Sequence, residues 1–219
     1  MRGLFITGAD TGVGKTHVGT ALAAALLAQG VRVRARKPVE SGCPRVNGEL
    51  RPQDALAYAT VTGEPLEAVC RYRLMAALSP ERAARLEGVA YRLGDLVAHC
   101  RVGLDAEDFL LVEGAGGFLS PIAPDGLNAD LALALGLPVL LVAADRLGAG
   151  HPARASAEAI ERRGHRWIGV VLSEALPQSE PLLDNAADLK RWVKVRVARL
   201  PHGAEGPIAA RLLLPLLAG

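Results

Sequence analysis

The chain has 219 residues, half of them hydrophobic, and a formal net charge of +2. That length suits a single α/β domain over residues 1–219 with enough apolar mass for a sizeable core. The near-balanced charge gives no sign of a nucleic-acid or acidic-membrane partner, and no apolar run reaches the ~18 residues of a membrane-spanning helix.

Residues 4–7 read as a first strand and the Ala/Leu-rich run 17–29 as a first helix. Residues 31–36, with alternating Val and Arg, read as a second strand nearer a sheet edge. Helical patterns follow at 53–62, 80–87 and 91–101. An apolar strand over 109–112 ends at Glu113. Helix 128–136, strand 138–143, helix 152–164, strand 168–172, helix 182–191 and strand 193–200, ending at Pro201, continue the alternation. Residues 208–217 close the chain as a helix, with Pro215 near its end. The order predicts an α/β fold of P-loop NTPase type, with a mostly parallel sheet and helices on both faces.

The segment between the first strand and first helix is Gly8-Ala-Asp-Thr-Gly-Val-Gly14-Lys15-Thr16. Strand, glycine loop, Lys-Thr and helix is the layout that holds a nucleoside triphosphate. Glycines let the backbone wrap so that consecutive N–H groups face phosphate oxygens, and the helix N-terminus adds positive potential. Lys15 can reach the β- and γ-phosphates, and Thr16 can ligate Mg²⁺. Five residues separate Gly8 from Gly14, whereas the common pattern has about four.

Loops that leave the carboxyl ends of parallel strands are where ligands bind. Four such segments carry polar or glycine-rich residues. They are the glycine loop, Lys37-Pro-Val-Glu-Ser41-Gly42, Glu113-Gly-Ala-Gly-Gly117 and Asp145-Arg-Leu-Gly-Ala-Gly-His151. Glu113, at the end of a buried strand, needs a partner for its charge, and a metal would supply one. Asp54 follows Pro52 at a helix start, so it is either a metal ligand or a first-turn acid. Lys37 is either a second cation beside the γ-phosphate or a solvated strand-end lysine. Of the basic residues, only Lys15, Lys37, Lys190 and Lys194 are lysine, and the two in the N-terminal half stand in or near the phosphate loop. Thr11 and Ser41 can hydrogen-bond a small substrate or serve as turn residues. A Lys37→Ala change is expected to depress chemistry far more than stability.

Cys43, Cys70 and Cys100 are odd in number and lack metal-type spacing, which points to free thiols and a cytoplasmic setting. A chain that enters a strand at once is expected to carry no signal peptide.

Taken together, the long glycine loop with Asp10-Thr11, the Lys37–Gly42 run, Asp54-Ala-Leu-Ala and Val112-Glu-Gly-Ala-Gly-Gly117 resemble dethiobiotin synthetase, a family of ATP-dependent cyclo-ligases of biotin synthesis. The resemblance spans residues 1–172 and implies a specific chemistry. A diamino acid, 7,8-diaminopelargonate, takes up CO₂ on one amine. The resulting carbamate attacks the γ-phosphate of ATP, and the second amine closes a cyclic urea. It implies catalytic roles for Lys15, Lys37 and Thr11. It implies nucleotide contacts from Gly8, Asp10, Gly12, Val13, Gly14, Lys15, Thr16, Glu113, Gly116, Ser173 and Pro201. Mg²⁺ would be held by Thr16, Asp54 and Glu113. Substrate would meet Thr11, Lys37 and Ser41, and, across the interface of a homodimer, Gly148, Gly150 and His151. Ser173-Glu174 stands where the family often has an adenine-reading asparagine, so weaker adenine discrimination is expected. Pro152, read as a first helical residue, removes a backbone donor from the carboxylate-binding helix start. No tyrosine follows Tyr91, so a late-helix substrate contact of some members is missing.

Two other readings compete. A different amide-forming synthetase of the same ATPase group would usually carry a glutaminase domain with a nucleophilic cysteine, and nothing of that kind is evident in these 219 residues. A partition or septum-placement ATPase switch would usually place a second lysine inside the glycine loop, where Asp10 and Thr11 stand.

Overall fold

The computed structural model describes residues 2–174 and 182–218. In strand β1 (Arg2–Gly8), Leu4 and Ile6 turn to one buried cluster and Phe5 to another, each fully buried. The same alternation recurs in the central strand of residues Phe109–Gly117, where Phe109 and Leu111 face one core and Leu110 and Val112 the other. Period-2 alternation with both faces apolar is what a strand covered on both sides requires. Each such Leu or Phe contributes about 1.5–3 kcal/mol on leaving water.

Six strands form the central sheet. They are β1, β2 (Val33–Arg36), β3 (Phe109–Gly117), β4 (Val139–Ala144), β5 (Trp167–Ser173) and β6 (Arg196–Leu200). All neighbours are parallel, in the order β6-β5-β4-β1-β3-β2. The expected edge position of β2 is observed. Helices α1 (Lys15–Ala28), α2 (Gln53–Thr62), α3 (Leu66–Val69), α4 (Pro80–Glu87), α5 (Leu93–Arg101), α6 (Asn128–Leu135), α7 (Gly150–Arg162), α8 (Asn185–Lys190) and α9 (Gly206–Leu213) connect or flank them. Residues of α1, α2 and α9 fill one core, and residues of α5, α6, α7 and α8 fill the other. The chain leaves β1 toward the β2 edge, then works back past β1 to the β6 edge. That reversal opens a crevice at the carboxyl ends of β1 and β3.

Several element ends shift by two or three residues from the sequence reading, and three differences bear on the site or the chain end. β3 runs on to Gly117 instead of ending at Glu113. Its pairing with β1 nevertheless breaks there: Ile6 faces Glu113, but Gly8 faces Gly117. Gly114, Ala115 and Gly116 bulge out of register, and a bulge re-aims the side chain beside it. Helix α7 starts at Gly150, so Pro152 is its third residue and not its first. Proline is tolerated there because the first-turn N–H groups have no helical partner. The closing helix stops at Leu213 and tightens to a 3₁₀ turn over Leu214–Ala218, because Pro215 cannot donate to an α-helical ladder. The short helix α3 and the two-residue pairing of Val39–Glu40 with Tyr72–Arg73 carry too few residues for periodicity to reveal. The three cysteines are free and buried.

Candidate active site

The glycine loop connects β1 to α1 through two left-handed turns. Gly12 has φ 71° and Gly14, the residue before α1, has φ 91°. A side chain at Gly14 would strain the backbone and strike Ser173 Oγ, 2.5 Å from the ideal Cβ position. At Gly8 a Cβ would meet the Asp10 carbonyl at 2.5 Å and Lys15 Nζ at 3.0 Å. Lys15 folds back over the loop and donates to that carbonyl at 3.1 Å. The Asp10 carboxylate accepts the Thr11 N–H at 2.7 Å. Val13 turns its side chain into the core.

Three loops line one cavity of about 370 Å³ at the crevice: the glycine loop, the segment after β2 and the bulge after Glu113. Thr11, Gly12, Gly14, Lys15, Thr16, Lys37, Ser41, Asp54, Glu113 and Gly116 all border it. Lys37, 3 % exposed, sits at its centre. Its ammonium donates to Glu113 Oε1 and to the Gly114 carbonyl, the latter at 3.1 Å, and lies 2.9 Å from Asp54 Oδ2. Thr16 Oγ1 donates to the same Glu113 oxygen at 3.2 Å. Ser41 Oγ donates to the Leu78 carbonyl at 2.6 Å.

Charge follows geometry. Burial works against the Lys37 ammonium, but Glu113, Asp54 and Glu40 outweigh it and hold its pKa well above the ordinary lysine value. Burial and the neighbouring Lys37 charge lower the pKa of Lys15. Burial opposes the Asp54 carboxylate, yet Lys37 and Thr16 win and lower its pKa. The ammonium groups of Lys15 and Lys37 thus share the cavity with the carboxyl groups of Asp54, Glu113 and Glu40.

Three supporting residues escaped the sequence reading. Tyr58 donates its hydroxyl to Glu113 Oε2 at 2.8 Å. Glu40 accepts the N–H groups of Asp54 and Ala55 at 3.0 and 2.9 Å, capping α2, whose preceding Pro52 offers no side-chain cap. Fully buried Asn128 accepts the Ala115 N–H at 2.9 Å and donates to the Ala115 and Gly117 carbonyls at 2.7 and 2.8 Å. Only an asparagine at a helix start carried any local signal; the other two pairings depend on the fold.

The remaining selected residues lie elsewhere. Ser173 is buried at the end of β5, behind Gly14, and exposed Pro201 follows β6. Gly150 and His151 border a separate groove of about 670 Å³ between α7 and α8, near Trp192. Gly148, with φ 84°, precedes that helix. Within one chain this fourth loop does not reach the glycine-loop cavity. A roomier groove of about 1040 Å³ opens at the opposite, amino-terminal rim of the sheet and is bordered by none of the selected residues.

The donors suit a hard cation in part. The Asp54 and Glu113 carboxylates meet at Lys37 and the Thr16 hydroxyl donates to Glu113, and Mg²⁺ takes oxygen ligands, commonly one or two carboxylates with phosphate oxygens and water. Among the described residues there is no cluster of three or more acidic, histidine or cysteine side chains able to hold a metal alone.

A family profile described as an AAA domain matches residues 2–205. The ATP-dependent dethiobiotin synthetase BioD of Anaeromyxobacter dehalogenans strain 2CP-1 is 45 % identical over 192 residues, covering 87 % of this chain and 85 % of that protein. The protein of the same name from Caulobacter vibrioides strain NA1000 is 40 % identical over 219 residues, covering 99 % of each. The chain belongs to the ATP-dependent dethiobiotin synthetase family. Solved structures show that the family fold is widely shared. The septum site-determining protein MinD of Pyrococcus horikoshii superposes with a TM-score of 0.52 at 17 % identity, covering 99 % of this chain and 94 % of that one. A ParA family ATPase of Chlorobium tepidum gives 0.55 at 12 % identity, covering 92 % and 84 %. At those identities the likeness is one of fold alone, so the partition or septum-placement reading gains nothing from it. Among the described residues no helix is long and apolar enough to cross a membrane.

Proposed function

We propose that this chain, acting as one unit over residues 1–219, makes dethiobiotin from 7,8-diaminopelargonate, CO₂ and ATP, releasing ADP and phosphate. The observation that carries the site assignment is Lys37, whose buried ammonium joins Asp54 and Glu113 beside the glycine loop.

The Gly8–Lys15 loop holds the triphosphate, with Gly12 and Gly14 giving the backbone its close approach and Gly116 facing it from β3. Lys15 swings from the Asp10 carbonyl to the phosphates. Thr16, Asp54 and Glu113 would hold Mg²⁺, directly or through water, and the ion would supply neutralisation of phosphate charge. Lys37 faces the carbamate and the transferring phosphoryl group, and Thr11 and Ser41 hydrogen-bond the diamine or its carbamate. The carbamate oxygen attacks the γ-phosphorus while the bond to ADP breaks. The second amine then attacks the carbamoyl carbon and expels phosphate. No protein nucleophile is required, so rate rests on positioning and on the two lysines.

The substrate's distant carboxylate is assigned to Gly148, Gly150 and His151 of a second copy. Two features support that homodimer. The loop is too far round its own subunit to border its own cavity, and Leu147 and Trp192 beside it are 82 and 64 % exposed. A cytoplasmic setting goes with the three free thiols.

The test is phosphate release from Mg-ATP with and without 7,8-diaminopelargonate and bicarbonate. Release must depend on the diamine and yield the cyclic urea; diamine-independent hydrolysis alone rejects the proposal. Light scattering reads the dimer.

A further inference from the structure

Glu113 is buried to 1 % exposure, and both of its carboxylate oxygens are engaged from opposite sides. Oε1, on the cavity side, meets Lys37 and Thr16. Oε2 receives the hydroxyl of Tyr58 at 2.8 Å, from the second turn of α2. The hydroxyl lies against α1 at Gly19, whose lack of a side chain leaves it room. At Gly19 an added Cβ would lie 1.7 Å from the Tyr58 oxygen and 2.7 Å from its Cζ. Gly19 stands one turn after Thr16, on the helix that carries Lys15. The tyrosine therefore bridges α2, α1 and β3 directly beneath the cavity.

A carboxylate can rotate about its last bond, and that torsion is broad. With one oxygen pinned by an outside donor, the other is held toward its partners. Partners of this kind orient the groups that meet a metal or phosphate. A plain core tyrosine needs only some acceptor for its hydroxyl. Here the acceptor is the charged group of the site, and a glycine on the neighbouring helix makes room for the contact.

We propose that Tyr58 is a positioning residue that fixes the Glu113 carboxylate, so that Oε1 faces Thr16, Lys37 and the arriving Mg-nucleotide. The inference rests on the reading of Glu113 as part of the nucleotide site, yet it does not need the substrate assignment. Tyr58→Phe keeps the ring and removes the one O–H. Calorimetric titration with ATP, with Mg²⁺ and with EDTA, should show the Mg²⁺-dependent part of the affinity falling about tenfold or more. ATP binding in EDTA should stay within twofold. In the Glu113→Gln background the same change should add little, because the two residues act through one contact. Infrared spectra of the nucleotide-free protein should show the Glu113 carboxylate band shifting in Tyr58→Phe.

Unchanged Mg²⁺ dependence with a folded Tyr58→Phe protein overturns the proposal, as does full additivity with Glu113→Gln. If Tyr58→Phe does not fold, 3-fluorotyrosine at position 58 alters the hydroxyl's donor strength at nearly constant shape. A shift in Mg²⁺ dependence then supports the role, and no shift refutes it. Because nucleotide binding is read without the diamine, a chain that binds Mg-ATP but makes no dethiobiotin fails the proposed function while leaving this one standing.

Discussion

The Glu40 carboxylate receives the backbone N–H of Asp54 at 3.0 Å, and so caps the helix whose second residue reaches Lys37. The segment after β2 thereby supplies both Lys37 and the clamp for the helix that brings Asp54 to it.

That clamp titrates near neutrality. Burial pushes the Glu40 pKa up to about 7 from 4.5, with Asp54 adding to the rise and Lys37 and the two backbone donors limiting it. An acid whose pKa rises on folding binds protons more tightly in the folded state. Its contribution to stability is therefore fully present at acid pH and declines as pH climbs from about 4.5 to about 7. Thermal unfolding of the parent should lose ground to Glu40→Gln across pH 5–7.5. Parallel curves would show that Glu40 does not titrate in this window.

Lys37→Ala should cost both rate and stability, which corrects the expectation from sequence. Removing Lys37 strands Glu113, a buried carboxylate, and breaking a buried pair costs up to about 3–5 kcal/mol. Turnover should fall about 10²–10³-fold, as for removal of a transition-state charge stabiliser. Lys37→Met with Glu113→Gln should recover melting temperature without recovering turnover. Recovery of both would remove Lys37 from the chemistry.

Asn128→Ala should loosen the bulge that carries Gly116. It removes an acceptor from Ala115 and a donor from Ala115 and Gly117, and each buried group left unsatisfied costs about 1–3 kcal/mol. Calorimetry should show a drop of several degrees in Tm, and hydrogen exchange should quicken at the Ala115 amide. An unchanged exchange rate would place the brace elsewhere.

Base selection is expected to be loose. Ser173 is 2 % exposed, and its hydroxyl lies against Gly14. A single hydroxyl behind the loop offers less than the donor and acceptor pair of an amide. In competition assays kcat/KM for GTP and CTP should fall within about tenfold of ATP, since strong rejection needs matched polar groups. A strict preference for ATP would assign base reading to groups other than Ser173.

The layout of β1, the glycine loop and α1 was legible because each feature is local. Left-handed turns demand glycine, a helix start leaves N–H groups free, and apolar alternation reports a strand covered on both faces. Lys37, Asp54 and Glu113 were legible as strand-end or helix-start polar residues, a position that parallel sheets reserve for ligands. The local pattern around Tyr58 is that of an ordinary helix face, and Glu40 lies inside the Lys37–Gly42 run with nothing local to mark it as a helix clamp. What they do depends on partners 55 residues away for Tyr58 and 14 for Glu40.

The amino-acid order by itself therefore determined where a triphosphate can be cradled and which charges can surround it, since backbone conformation and strand ends are set by neighbours along the chain. Only the tertiary structure decided that Lys37 is buried between two carboxylates and that Tyr58 holds Glu113 from beneath. Those contacts arise when α1, α2 and β3 pack together, and a hydrogen bond between distant residues leaves no periodic trace in the sequence.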